Sequence, residues 1–305
     1  MKKTVFKLCL TCVLFFSTST GLALDPMGHA VAELEKGQFS IGAEYSASRM
    51  DLRFNEGEIT RRGYADGVLT SISSGPLVPY TLTNLHMDKI WTKISYGVTD
   101  DWDVFLRLGT SDMDFDYSGR MICVNNACDA FTLGQEQNGD NGFAIGLGTK
   151  VTFHKEENIK WGGLFQISWC QSDGKESGAL LPAESMTGWS DSFSHSVDIE
   201  LIEIHVALGP EYQLADNISI YGGPFLHFIN GNVEGHYYES GMFTLPDPDV
   251  FSEYTTDYTC DIDQRTFFGG YVGLEMDLTK NVSANIEYQH TATADALAIN
   301  LTWKF

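Results

Sequence analysis

Leu297-Ala298-Ile299-Asn300-Leu301-Thr302-Trp303-Lys304-Phe305 closes the chain. Every second residue is large and apolar, and the residues between are small, polar or charged. Successive side chains of a strand point to opposite faces, so this stretch reads as a strand with one greasy and one polar face. A soluble sandwich contains such strands too, but seldom stops on an aromatic residue at the end of its last one.

The same texture recurs upstream around short polar turns. Tyr96-Gly97-Val98 leads through Thr99-Asp100-Asp101 into Trp102-Asp103-Val104. Tyr212-Gln213-Leu214 leads through Ala215-Asp216-Asn217 into Ile218-Ser219-Ile220, and Met276-Asp277-Leu278 through Thr279-Lys280-Asn281 into Val282-Ser283-Ala284. A looser copy joins Val151-Thr152-Phe153 to Ile159-Lys160-Trp161. These are β-hairpins. Between them lie stretches rich in Gly, Ser, Asp and Asn, at 53–86, 110–141, 171–193 and 230–262, which read as long loops. Loops of that length are unusual in a compact soluble domain. Short turns alternating with long loops predict an all-β fold: a transmembrane, antiparallel up-and-down β-barrel with short periplasmic turns and long outer loops. The expected strands are Gln38–Leu52, Met87–Val98, Trp102–Thr110, Gly142–Phe153, Ile159–Cys170, Ser194–Leu214, Ile218–Asn230, Arg265–Leu278, Val282–His290 and Asp295–Phe305, about ten in all. Both ends of the barrel then fall on the short-turn side.

The faces follow from the alternation. In Gly142–Phe153, Phe143, Ile145, Leu147, Val151 and Phe153 share one face, and Ala144, Gly146, Gly148, Lys150 and Thr152 the other. A greasy outside with a small or polar inside inverts the soluble design. Ile202–Leu214 agrees, while the adjacent pair Leu201-Ile202 suggests a bulge. In Ile218–Asn230 large residues occupy both faces, and the sequence assigns neither. The predicted inner set includes Lys93, Asp103, Arg107, Lys150, Lys160, Glu203, Glu211, Glu275, Glu287, Gln289 and Lys304. Its mixed signs imply a paired, largely filled interior, because a charge desolvated alone costs several kcal/mol, roughly. Trp91, Trp102, Trp161, Trp169, Tyr212, Tyr221, Tyr288, Trp303 and Phe305 are expected in aromatic girdles.

The N-terminus reads as a signal peptide over 1–23: Lys2-Lys3, a run from Val5 to Phe16 that is apolar apart from Lys7 and Thr11, and small residues ending at Ala23. Residues 24–37 are then a short periplasmic segment, and 38–305 the barrel. Of six cysteines, four remain after cleavage. Cys123 and Cys128 close a short loop suited to a disulfide in an oxidising compartment. The net charge of -22 excludes nucleic-acid binding, which needs a basic face. At 43% hydrophobic and 12% aromatic residues, the chain is too apolar for polyanionic disorder.

The ending Leu301-Thr302-Trp303-Lys304-Phe305 resembles the C-terminal insertion signal of Gram-negative outer-membrane proteins. The resemblance implies that Leu301, Trp303 and Phe305 are read by the barrel-assembly machinery, that the protein sits in the outer membrane, and that its partners are membrane lipids and lipopolysaccharide. Ten strands invite comparison with the omptin proteases, which use an Asp pair and an Asp-x-His pair. Asp112-Met113-Asp114-Phe115-Asp116 supplies carboxylates, but no Asp-x-His occurs, and Glu203-Ile204-His205, a near approach, sits within a strand. His195-Ser196 is the one adjacent pair for a lipid-modifying barrel. Asp112, Asp114 and Asp116 suit weak binding of Ca²⁺ or Mg²⁺, though no EF-hand follows them. The expected function is a non-catalytic outer-membrane barrel, a surface or structural protein or a narrow porin-like channel, with no cofactor or dedicated metal. An outer-rim enzyme and a secreted lipid-binding barrel are the alternatives; the latter needs its apolar face inside.

Overall fold

The computed structural model describes residues 24–77, 80–116, 122–124, 127–129, 136–137, 139–180, 191–243, 250–264 and 267–305. The signal segment 1–23 lies outside the described residues. The first strands are β1 Phe39–Ala65, β2 Val68–Pro76, β3 Tyr80–Thr99 and β4 Trp102–Asp116. Short pieces follow: β5 Ile122–Val124, β6 Ala127–Asp129, β7 Glu136–Gln137 and β8 Gly139–Asp140. The remaining strands are β9 Gly142–Lys155, β10 Ile159–Leu180, β11 Asp191–Ala215, β12 Ile218–Phe243, β13 Val250–Gln264, β14 Phe268–Asp277, β15 Val282–Thr291 and β16 Ala294–Lys304.

Ten of them close a ring in the order β1, β3, β4, β9, β10, β11, β12, β14, β15, β16 and back to β1. All its pairings are antiparallel, and the seam joins Ser40–Met50 to Lys304–Ala294. Phe39 and Phe305 exchange backbone hydrogen bonds of 3.2 and 3.0 Å there. Strand number, direction and the position of both ends are as the alternation predicts.

The stretches expected as loops differ. Much of 53–86 and of 230–262 is strand. Beyond Leu52, β1 leaves β16 and pairs with β13, whose other edge takes Asn230–Phe243 of β12. One strand thus stands where the ring has β14, β15 and β16. Barrel diameter grows with strand number, so the tube narrows at this end. β1 and β2 are joined through Asp66 and Gly67, both at positive φ (50° and 75°), the conformation of a two-residue hairpin turn.

Alternation continues through the narrow tube, but its sense reverses. In the ring, Phe143, Ile145, Leu147, Val151 and Phe153 of β9 face outward. In the tube, Leu52, Phe54 and Ile59 of β1, Val197 and Ile199 of β11, and Tyr258 and Ile262 of β13 are buried inside. The reversal falls at Leu201-Ile202: Leu201 is buried inward and Ile202 is exposed outward. Both keep unbroken register with Cys170 and Trp169 of β10 and with Gly231 and Asn230 of β12, so no bulge occurs there. The adjacent apolar pair marks the edge of the apolar belt.

Inside the ring, glycines make room for rings on the next strand. Tyr221 and Phe225 of β12 lie opposite Gly273 and Gly269 of β14. A Cβ at Gly273 would stand 2.1 Å from Tyr221 Cζ, and one at Gly269 2.4 Å from Phe225 Cζ. That explains the large residues on both faces of β12. Trp91 is also fully buried, facing Gly109. Trp91 and Tyr221 therefore fill the interior instead of joining the aromatic girdle. Trp102, Trp161, Tyr212, Trp303 and Phe305 do face outward in the belt.

Candidate functional site

The segment before β1, expected to hang outside the short-turn end, instead runs up the inside of the ring. Leu24, Asp25, Met27, His29, Ala30, Val31 and Leu34 are buried. Backbone without regular structure is stable at that depth only where protein surrounds it and satisfies its polar groups. The inward side chains of the ring do this, level by level.

At the short-turn rim, the Lys36 N–H donates to Asp100 Oδ1 (2.9 Å), and Gly37 N–H to the Gly97 carbonyl (2.8 Å). Above it, Asp103 Oδ2 accepts from the N–H groups of Glu33 and Leu34 (2.5 and 3.3 Å). Lys150 Nζ is 2.5 Å from Glu33 Oε1. His29 Nε2 lies 3.2 Å from Glu33 and 2.8 Å from Glu275, with Glu211 3.6 Å from its other nitrogen. Gly28 sits at φ +67°, and a Cβ there would meet Lys150 Nζ at 3.2 Å.

Near the rim too, Ala32 N–H donates to Thr152 (2.8 Å), and in the middle level Met27 N–H donates to Glu287 (3.0 Å). Arg107 donates to the Pro26 carbonyl and shares Glu44 with Lys93, each ion pair at 2.8 Å. At the top, Lys89 Nζ is 2.7 Å from Asp25 and also contacts Glu203. Gln289 donates to the Asp25 carbonyl (2.9 Å), and Ser168 to its carboxylate. Over this level lies an apolar layer that includes Met87, Cys170, Leu201 and Ile229.

Mixed charge in the ring does mark a paired interior: Lys93, Asp103, Arg107, Lys150, Glu203, Glu275 and Glu287 are all buried there. Half of the partners escaped the sequence reading, because Asp25, His29 and Glu33 belong to no strand. A signal was available. Leu24, Met27, Ala30, Val31 and Leu34 make this stretch too apolar for a free tail.

Asp112 and Asp114 share the face of β4 away from buried Ser111 and Met113, opposite Asp88 and His86 of β3. The side chain of Asp116 lies outside the described residues. Cys123 and Cys128 are paired residues of the β5–β6 ladder, and their side chains also lie outside the described residues. Cys170 and Cys260 are free and buried. In the narrow tube, burial holds the Cys260 thiol up at about 12. Burial and then the neighbouring His236 push His195 down to about 4, which keeps it neutral beside the Tyr258 hydroxyl (2.9 Å). His195 and Ser196 point to opposite faces of β11, as strand neighbours must. Glu203 and His205 face the lumen, away from any outer rim. Leu301, Trp303 and Phe305 are exposed on the outward face of the last strand.

Residues 158–305 match the family model of the outer membrane protein beta-barrel domain. No curated protein matches the chain. Among solved structures, the outer membrane protease OmpT of Escherichia coli is 13% identical, covering 87% of this chain and 97% of its own, with a TM-score of 0.35. The translocator domain of the autotransporter NalP of Neisseria meningitidis is 9% identical over 90% of this chain and 89% of its own, with a TM-score of 0.39. The outer membrane protein OprG of Pseudomonas aeruginosa is 10% identical over 78% and 96%, with a TM-score of 0.30. Likeness at this level says nothing about activity.

Proposed function

We propose that this chain, of the Gram-negative outer-membrane β-barrel class, is non-catalytic and closed at rest: a surface-anchored structural protein and not an open porin. The observation that carries the reading is the filled lumen. The segment 24–34 occupies the ring with Asp25, His29 and Glu33 paired to the wall, and an apolar layer stands between it and the narrow tube. An ion crossing this path would have to displace buried pairs and then enter an apolar plug, each step costing several kcal/mol, roughly. The short-turn end is periplasmic and the narrow tube stands outside the cell, where its polar outward face meets water and lipopolysaccharide. The acidic residues at that end, Asp112 and Asp114 among them, attract divalent cations weakly.

The test is reconstitution of the folded, unmodified protein into planar bilayers. No steady conductance is expected at moderate voltage; a stable open channel would overturn the closed-barrel reading. A catalytic reading has less support, since the buried His195 and Ser196 face apart and Glu203-Ile204-His205 has no path to an outer substrate.

The β5–β6 pairing sets Cys123 directly across from Cys128, the cross-strand placement in which side chains come closest. A disulfide between them is expected in the exported protein. Thiol labelling of denatured, non-reduced protein should modify Cys170 and Cys260 only; labelling of four thiols would remove the bridge.

A further inference from the structure

Glu203, His205 and His227 form a buried cluster at the top of the lumen. Glu203 and His205 are two apart on β11, so both point inward. His227 of β12 is the direct cross-strand partner of His205. All three side chains are fully buried, and one ligand atom from each lies within 4.8 Å of the others. His227 Nε2 is 3.3 Å from Glu203 Oε2. The ring of His205 stacks on that of His227, with centroids 4.1 Å apart. Among the described residues, neither nitrogen of His205 has a hydrogen-bond partner. Buried polar groups are nearly always paired, so two orphaned ring nitrogens on one fully buried residue call for a ligand.

We propose that His205, His227 and Glu203 bind one divalent transition-metal ion of the zinc type. Two imidazoles and a carboxylate are a zinc ligand set, whereas Ca²⁺ and Mg²⁺ require mostly oxygen. The charges permit it. Lys89 sits against Asp25 and the Oε1 side of Glu203, so Asp25 balances the ammonium and Oε2 faces the histidines. The fourth position falls to a water that enters with the ion, because Cys170 lies on the Oε1 side of Glu203 with Lys89. Coordination would pin β11 to β12 just below the level where the apolar face reverses.

The experiment uses untagged, full-length mature protein refolded with micromolar Zn²⁺, dialysed against zinc-free buffer, and analysed for bound metal. About one ion per chain is expected for a closed four-coordinate site. His205→Phe should fold normally, because the histidine it replaces makes no hydrogen bond and lies beside Phe225. Folding is checked by the heat-dependent gel shift of intact barrels. The folded variant should retain almost no zinc, and His227→Gln likewise. Zinc-free wild-type protein would overturn the proposal. So would undiminished zinc in folded His205→Phe, which would place the metal on surface carboxylates or exposed histidines. This result is independent of whether the barrel conducts.

Discussion

Replacing Lys89 with Met is expected to lower the stability of the folded barrel by about 3–5 kcal/mol, the cost of breaking a fully buried ion pair from one side. Lys89, Asp25 and Glu203 have no exposed surface, and the ammonium lies between the two carboxylates. Met matches the volume of the stem, so packing changes little and the loss is chiefly electrostatic. Both carboxylates would be left without the Lys89 ammonium in a site with no exposed surface. Each would have to take up a proton or draw in water, and Asp25 can escape more simply by withdrawing from the lumen with its segment. Urea unfolding in lipid vesicles measures the stability change. Proteolysis from the short-turn side reports the segment, which should become cleavable in the variant and stay protected in the wild type. Adding Asp25→Asn removes one of the two orphaned charges, so the double variant should recover part of the loss. A change below about 1 kcal/mol, the range of solvent-exposed pairs, would mean that the triad is hydrated in the membrane.

The ring was legible because the lipid-facing side of a strand must be apolar at every second position, as in Phe143 to Phe153 and Leu297 to Phe305. Turn chemistry added the hairpins at Asp100, Asp216 and Lys280. The narrow tube was misread because its strands carry the soluble pattern, with apolar residues inside and Asp, Ser, Thr or Glu outside. Tyr258-Thr259-Cys260-Asp261-Ile262 alternates as cleanly as the last strand, yet its polar half resembles a loop in composition. The same reversal accounts for Leu201-Ile202. Two apolar neighbours belong to one regular strand whose surroundings change from lipid to water, and a bulge is unnecessary. Large inward rings at Tyr221 and Trp91 were hidden for a different reason. Their accommodation depends on glycines of the neighbouring strand, and pairing register is not readable from one strand alone. The lumen was half legible. The wall charges alternate with lipid-facing residues and so announce themselves, whereas Asp25, His29 and Glu33 follow no period. Only the apolar residues Leu24, Met27, Ala30, Val31 and Leu34 marked the stretch as one that must be buried. His205 and His227 meet through register too, which is why a histidine pair twenty-odd residues apart in sequence was not seen as one cluster.

Deleting Phe305, or replacing it with Asp, is expected to abolish assembly in the cell while leaving the barrel able to fold in vitro. The two outcomes separate recognition from stability. Structurally, Phe305 contributes little. Its ring lies on the lipid-facing side at the short-turn edge, about 6.4 Å from the ring of Phe39 and 6.5 Å from that of Trp303. Its backbone adds two hydrogen bonds at an edge of the seam that Ser40–Met50 and Lys304–Ala294 already close. A Lys or Arg on the lipid face near an interface costs roughly 0–1 kcal/mol, against 2–4 at the midplane, and an Asp costs less. That is too little to unfold a closed ring. A severe loss in the cell must therefore come from the reading of the terminal strand, as its resemblance to the insertion signal implies. The measurement compares surface levels by external protease or antibody with folding of purified protein into short-chain lipid vesicles. Normal surface levels for the truncated chain would sink the signal reading. Failure to fold in vesicles would show instead that Phe305 holds the seam, and that Leu301 and Trp303 alone cannot.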